Sequence, residues 1–134
     1  MIVFKYKAES LGKGKGTIYR PVADVYLKSK SGEWIEFHPY IDSGADVTLL
    51  PLSLGKLIGL NRDERKIEKI GGIRGTVPVI NSDNEIKIGD YRLAVKVGWA
   101  LIEAVPALLG RTDVFDAFEV IFKQKAKQII FRKR

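Results

Sequence analysis

The alternation of apolar and polar residues predicts a chain built mainly of short β-strands. Turn clusters such as Ser29-Lys-Ser-Gly32 and Gly89-Asp90 separate neighbouring strand patterns and indicate hairpins. Pro39, near the end of one pattern, indicates a sheet edge or a bend. Many short strands with close turns are typical of a β-barrel or a sandwich. The predicted strands cover residues 2–8, 17–28, 34–41, a strand pair within 67–80, 85–88, 91–100, 118–123 and 128–131.

Two short helices interrupt this pattern. Pro51 can begin a helix, Leu54, Leu57 and Ile58 share one of its faces, and Gly59 can end it. The segment 111–117 predicts a second short helix near the C-terminus. The glycine-rich stretch Gly12-Lys-Gly-Lys-Gly16 predicts a flexible loop and does not fit a Walker phosphate-binding pattern.

Length and composition favour a single domain over residues 1–134, with 1–16 as an N-terminal extension and 123–134 as a basic C-terminal segment. The absence of cysteine excludes disulfides, thiolate nucleophiles and the usual structural zinc sites. His38 is the only histidine. We therefore predict neither a metal site nor a cofactor.

The net charge of +7 is concentrated in one segment. Residues 123–134 contain six basic side chains and no acidic one, whereas the rest of the chain is nearly neutral. Binding to a nucleic acid would therefore depend on this segment, and we do not expect a nucleic-acid partner. No apolar run is long enough to span a membrane, and the first residues lack a signal-peptide pattern. These features predict a cytoplasmic protein without a membrane partner.

The segment Tyr40-Ile-Asp-Ser-Gly-Ala-Asp-Val-Thr-Leu-Leu50 carries the most chemical information. Asp42 follows an apolar strand, and Ser43 can brace the loop with hydrogen bonds. Gly44 permits a tight turn and the close approach of another group. Alone, the Asp-Ser-Gly sequence is also ordinary turn chemistry.

Three further motifs accompany this loop in a fixed order. They are Arg20-Pro-Val22, Ile70-Gly-Gly-Ile-Arg-Gly75 and Leu108-Leu-Gly-Arg111. Together the four motifs resemble those of the retropepsin-like, or retroviral-type, aspartic proteases over roughly residues 17–122. The resemblance implies an all-β fold, a closed β-barrel with one short C-terminal helix. Arg74 departs from the pattern, since viral flaps often carry glycine there.

The resemblance also implies an aspartic endopeptidase that hydrolyses a polypeptide. This chemistry needs two carboxylates that share one proton. The chain carries one Asp-Ser-Gly, so the second carboxylate must come from another subunit, and a homodimer with two-fold symmetry supplies it. No metal or cofactor is required.

Residue roles follow from the motif positions. The resemblance implies that Asp42 is catalytic within an active-site loop that includes Ser43, Gly44 and Ala45. Asp46 is expected to pair with Arg111 within the subunit and with Arg20 across the dimer interface, because an arginine can bind a carboxylate with two parallel hydrogen bonds. The residues implied in substrate binding are Gly44, Asp46, Gly71, Gly72 and Ile73.

Other functions remain open at this point. A peptide-binding module without catalysis could use the same fold, because fold does not determine activity. A basic β-barrel could bind nucleic acid through its C-terminal segment. A triad of Ser43, His38 and Asp46 lacks any nucleophile-elbow pattern, so His38 is expected to be an ordinary strand residue.

Overall fold

The computed structural model describes residues 1–72 and 75–134. The described chain is mostly β-structure, with two short helices, α1 (Leu52–Leu57) and α2 (Val114–Ala117), and a single 3-10 turn at Glu64–Lys66. Both predicted helices are confirmed, although α2 is shorter than the pattern indicated. The strands are β1 (Ile2–Lys5), β2 (Lys7–Ser10), β3 (Thr17–Arg20), β4 (Val25–Lys28), β5 (Trp34–Phe37), β6 (Tyr40–Ile41), β7 (Thr48–Leu50), β8 (Ile67–Gly72), β9 (Gly75–Ile88), β10 (Tyr91–Ala100), β11 (Leu108–Leu109), β12 (Phe118–Lys123) and β13 (Gln128–Lys133).

The largest sheet has the strand order β5-β4-β9-β10-β7-β11-β6, and β8 also pairs with β9. The pair β9 and β10 forms its centre, a long antiparallel hairpin that turns at Gly89. The predicted hairpins at Ser29–Gly32 and Gly89–Asp90 are thus confirmed. Two smaller sheets, β1-β13-β12 and β2-β3, complete the fold.

The expectation of a closed barrel is wrong, because the large sheet is curled but open. Its edge strands β5 and β6 are consecutive in the chain, and among the described residues they do not pair with each other. Only His38 and Pro39 connect them, and proline has no N–H to donate to a ladder. The two edges are therefore joined by the chain itself rather than by hydrogen bonds between strands.

Proline also divides the second predicted strand. The pattern over 17–28 is two strands, β3 and β4, which belong to different sheets. Pro21 follows β3, and an isolated bridge between Val22 and Tyr40 connects this segment to β6. Strands β2 and β3 form a two-stranded ribbon that ends in the turn at Gly12–Gly16, where all three glycines have positive φ.

The basic C-terminal segment is an integral part of the fold. Strand β13 lies between β1 and β12 in the three-stranded sheet. Ile129 and Phe131 are fully buried, and the Phe131 ring packs edge-on against Phe4 and Phe118. The exposed lysines and arginines of this segment therefore sit on strands and a turn that the core holds in place.

The main core fills the inside of the curled sheet. Trp99 of β10 is its largest fully buried side chain, and its indole N–H donates to the carbonyl of Leu52 at 3.1 Å. Gly55 lies so close to this ring that a Cβ would come within 2.0 Å of the indole nitrogen. Helix α1 packs against β10 through this contact, which only glycine permits at position 55.

Trp34 has a different environment on the outer face of the sheet. Three cationic side chains surround its half-buried ring, with Lys87 at 4.9 Å, Arg92 at 5.4 Å and Lys28 at 5.7 Å from the ring centroid. Cross-strand pairing of Lys28 with Trp34 and of Lys87 with Arg92 places these side chains on one face. Cation–π attraction of this kind is worth about 0.5–1 kcal/mol at an exposed site.

A polar cluster connects the β2–β3 ribbon to the large sheet. The Lys7 ammonium donates to Asp24 at 2.7 Å and lies 3.2 Å from His38 Nδ1, which in turn is 2.8 Å from Asp24. The hydrogen bond from Lys7 is the main reason why the pKa of Asp24 lies below its usual range. His38 is thus an exposed residue beside Asp24 and Lys7 rather than a partner of Ser43.

We expect Asp24→Asn to lower the free energy of unfolding at pH 7 by less than about 1 kcal/mol, since the pair is nearly half exposed. A carboxyl group whose pKa is lowered by folding stabilises the protein above its unfolded pKa, and this contribution is lost as the pH falls through the folded pKa. The difference between variant and parent should therefore shrink below about pH 4. Urea unfolding at pH 7 and pH 3 measures the stability difference between variant and parent, with Asp90→Asn as control. Equal differences at both pH values would contradict the claim that the ionised Asp24 carboxylate stabilises the fold.

No helix within the described ranges is both long and apolar enough to cross a bilayer.

Candidate active site

Asp42 directly follows the last residue of β6 and begins the active-site loop. Its backbone N–H donates to the carbonyl of Leu109 at 3.1 Å, so the end of β11 fixes the start of the loop. Its carboxylate Oδ1 accepts the N–H of Gly44 at 2.8 Å, and its carbonyl accepts the N–H of Ala45 at 3.2 Å. Asp42 is partly buried, while Ser43 and Gly44 are exposed. The loop is therefore a tight turn with one carboxylate at its base.

The segment after β11 holds the other side of this loop. The N–H groups of Arg111 and Thr112 donate to the carbonyls of Ala45 and Asp46, both at 2.9 Å. The Arg111 guanidinium also donates to the Asp46 carboxylate. The structure thus brings Arg111 and Asp46 together within one subunit. Both side chains are more than half exposed, so the pair contributes at most about 1 kcal/mol to the stability of the single chain.

Gly110 and Thr48 form the contact between the two segments. The N–H of Gly110 donates to Thr48 Oγ1 at 3.2 Å, and Thr48 is fully buried. A Cβ on Gly110 would come within 2.5 Å of the Val47 carbonyl group and 3.0 Å of the Ala45 oxygen. Sequence reasoning assigned no role to Thr48, although a hydroxyl within the apolar run Val47–Leu50 signals a buried hydrogen bond.

Strands β8 and β9 form a hairpin beside this loop. Ile70 pairs with Val77, Gly71 with Thr76 and Gly72 with Gly75. The predicted strand pair is confirmed, and it carries the glycine-rich motif at its end. Of the residues predicted to bind substrate, Gly71 and Gly72 lie on β8, whereas Ile73 lies outside the described residues, as does Arg74.

An open cleft of about 490 Å³ lies between this hairpin and the active-site loop. The loop side begins at Gly44, two residues after Asp42, and continues through Ala45, Asp46 and Val47. A small apolar cluster supports the cleft, with Leu49, Val79 and Ala100 buried in it. The other lining residues are Leu49, Glu68, Ile70, Gly71, Asn81 and Leu108.

Within the single chain Arg20 contacts Glu9, whereas the contact predicted for it in the homodimer is with Asp46 of the second copy. Its Nε lies 2.8 Å from Glu9 Oε2, and the same oxygen accepts the hydroxyl of Tyr40 at 2.9 Å. The hydrogen bond to Glu9 is the main reason why the pKa of Tyr40 is raised. Sequence reasoning missed Glu9, because its proximity depends on the pairing of β2 with β3. A contact between Arg20 and Asp46 of a second copy stays a prediction.

One group of side chains in the described part of the chain has the composition of a metal site. Asp24, Glu36 and His38 bring their ligand atoms within 4.8 Å of one another. The Lys7 ammonium lies against two of them, so the chain supplies its own cation there.

The fold of the chain has a counterpart among solved structures. Among solved structures, the chain is similar to that described as "EIAV protease complexed with the inhibitor HBY-793", with a TM-score of 0.58 and 20% sequence identity. The match covers 80% of this chain and 93% of the other. No family model and no curated protein sequence matches the chain. The likeness shows a fold shared with a retroviral protease.

Proposed function

We propose that the chain is an aspartic endopeptidase that works as a homodimer, with Asp42 of each copy forming the catalytic dyad. The observation that carries the proposal is the position of the Asp42-Ser-Gly loop. Hydrogen bonds to Leu109, Arg111 and Thr112 fix it beside a cleft and a hairpin, in a fold shared with a retroviral protease. Fixed geometry of this kind is what a catalytic carboxylate requires.

The dimer follows from the chemistry. Two carboxylates close together cannot both ionise easily, so they share one proton, a behaviour for which aspartic proteases are the standard example in protein chemistry. One Asp-Ser-Gly loop occurs in this sequence. A two-fold axis beside Asp42 would place two identical loops face to face and complete the site from two equal halves.

In the proposed reaction, the ionised Asp42 takes a proton from a water molecule as the water oxygen bonds to the scissile carbonyl carbon. The protonated Asp42 of the other copy gives its proton to the carbonyl oxygen, which produces a neutral diol. As the diol collapses and the C–N bond breaks, the protonated Asp42 gives its proton to the departing nitrogen, and the ionised Asp42 takes the proton of a diol hydroxyl that becomes the new carbonyl oxygen. Each product then carries a new carboxyl or amino end, and the dyad again holds one proton.

The substrate backbone is proposed to lie in the cleft between the loop and the hairpin. Gly44 and Asp46 lie on one side of it and Gly71 on the other. Backbone groups at Gly44, Gly71 and Gly72 can approach a peptide closely because glycine has no side chain. Closure of the β8–β9 hairpin would exclude water and align the peptide. The substrate-binding role expected for Ile73 is part of this proposal.

The distinguishing prediction of a shared dyad is that specific activity depends on protein concentration. Hydrolysis of a fluorogenic peptide mixture between pH 4 and pH 7 should rise more steeply than in proportion to protein, until the dimer is fully formed. Sedimentation velocity at the same concentrations gives the dimer fraction, and a statine-type transition-state mimic should inhibit. Cleavage by a strictly monomeric protein would rule out the shared dyad. Peptide binding without cleavage would instead favour a non-catalytic peptide-binding module.

A further inference from the structure

Glu68 is an acidic side chain on the wall of the cleft that the proposed chemistry does not use. It lies on β8, two residues before Ile70, and both residues line the cleft. Its Oε2 accepts the side-chain amide of Asn81 at 2.8 Å, and Asn81 also lines the cleft. The amide fixes the position of the carboxylate and leaves its negative charge in place.

The charges around the cleft make Glu68 distinctive. Asp46, the other acid in the lining, is paired with Arg111. Within the described ranges Glu68 forms no ion pair with a lysine or arginine. The remaining described lining is apolar or glycine, apart from the Asn81 amide. Among the described lining residues, a peptide in the cleft would therefore meet an apolar wall and one carboxylate, Glu68, that no described lysine or arginine neutralises.

The position of Glu68 indicates which part of a peptide it would contact. Residues two apart on a strand face the same side and are about 7 Å apart, and an extended peptide has the same repeat. A peptide side chain that faces Glu68 therefore lies two residues beyond one that faces Ile70, on the side away from the glycine-rich end of the hairpin. Two-fold symmetry would place a second Glu68 at the opposite end of the assembled cleft.

We infer that Glu68 selects peptide substrates that carry lysine or arginine at an outer position of the bound segment. This inference rests on the proposed function and specifies its substrate class. The pair would be partly exposed to solvent, where attraction between opposite charges is modest and is weakened by salt. The selection should therefore be a preference for a basic residue and not an absolute requirement.

The experiment uses one cleavable peptide scanned with lysine, glutamine or glutamate at each outer position. At the position facing Glu68, the parent protein should cleave the lysine peptide about tenfold faster in kcat/KM than the glutamate peptide at low salt. Glu68→Gln should reduce this ratio to about twofold or less, and Glu68→Lys should invert it. Glu64→Gln is the matched control, since Glu64 lies in the 3-10 turn outside the cleft lining. It should leave the ratio unchanged.

Two outcomes would overturn the inference while leaving proteolysis intact: equal cleavage of all peptides by the parent, or an unchanged ratio in Glu68→Gln. Thermal unfolding of each variant confirms that the comparison is between folded proteins. If the parent cleaves no peptide of the fluorogenic mixture, the proposed function fails, and binding of the lysine and glutamate peptides then tests Glu68 directly. Equal affinity for the lysine and glutamate peptides would overturn the inference in that case as well.

Discussion

Asp42→Asn should reduce peptide hydrolysis by at least about 10³-fold, because an amide cannot take the proton from the attacking water. In a homodimer the change removes both carboxylates at once. The substitution is nearly isosteric, and the asparagine Oδ1 can still accept the N–H of Gly44 as the carboxylate does at 2.8 Å. Thermal stability and the dimer fraction should therefore stay close to those of the parent.

The control for this experiment is Asp90→Asn, an identical chemical change in the exposed turn between β9 and β10. It should retain parental kcat/KM. Both variants are measured with the same fluorogenic peptide, beside sedimentation velocity and thermal unfolding. Residual hydrolysis by Asp42→Asn that a statine-type mimic still inhibits at parental levels would show that Asp42 is not the catalytic carboxylate.

Gly110→Ala should be the most damaging small substitution at the active-site loop, although it touches no catalytic atom. The added methyl group would lie within 2.5 Å of the Val47 carbonyl group, which is backbone and cannot rotate away. The hydrogen bonds from Gly110 to Thr48 and from Asp42 to Leu109 oppose a shift of either segment. We expect a loss of about 3 kcal/mol in the free energy of unfolding, at the upper end of overpacking effects. Hydrolysis should fall as well.

Gly98→Ala is a matched control on the same side of the fold. Gly98 is also buried and faces the same segment, but its nearest neighbour, Leu49 Cδ1, would be 3.7 Å from an added Cβ. That distance is ordinary contact, so the free energy of unfolding should change by less than about 1 kcal/mol. Urea unfolding of both variants provides the comparison. Equal stability losses would show that close backbone approach at Gly110 is not the cause.

Local sequence signals located two hairpins and both helices, but the strand predicted over 2–8 is two strands, β1 and β2, and the one predicted over 85–88 is the end of the longer β9. Turn residues located the β4–β5 and β9–β10 hairpins, and Pro51 with Gly59 bracketed α1. The errors fall where distant parts of the chain decide the outcome. Local alternation does not show that Pro21 sends β3 and β4 into different sheets, or that the two edges of the large sheet remain unpaired. Strand β1 pairs with β13 from the other end of the chain, a partner that no local pattern identifies.

At the candidate site, too, local motifs located the segments of the chain, while some contacts between distant residues were not predicted. The motif around Asp42 located the loop, and the paired motif at Leu108–Arg111 located the segment against it. Side chains that depend on strand register were not predicted. Glu9 meets Arg20 only because β2 pairs with β3, and Asn81 meets Glu68 only because β8 folds back on β9. The register between strands determines which side chains meet across them. These neighbours become visible only when the strands are paired, so local patterns in the sequence did not predict them.

The two tryptophans report on separate parts of this molecule. Trp99 is enclosed by the core beneath α1, while Trp34 lies on the outer face among three cationic side chains. Their fluorescence therefore arises from one apolar and one strongly polar environment. In a protein with Trp34 replaced by phenylalanine, the remaining emission would follow the packing of α1 on the sheet alone. The fold thus contains its own optical probe for whether this helix separates before the sheet unfolds.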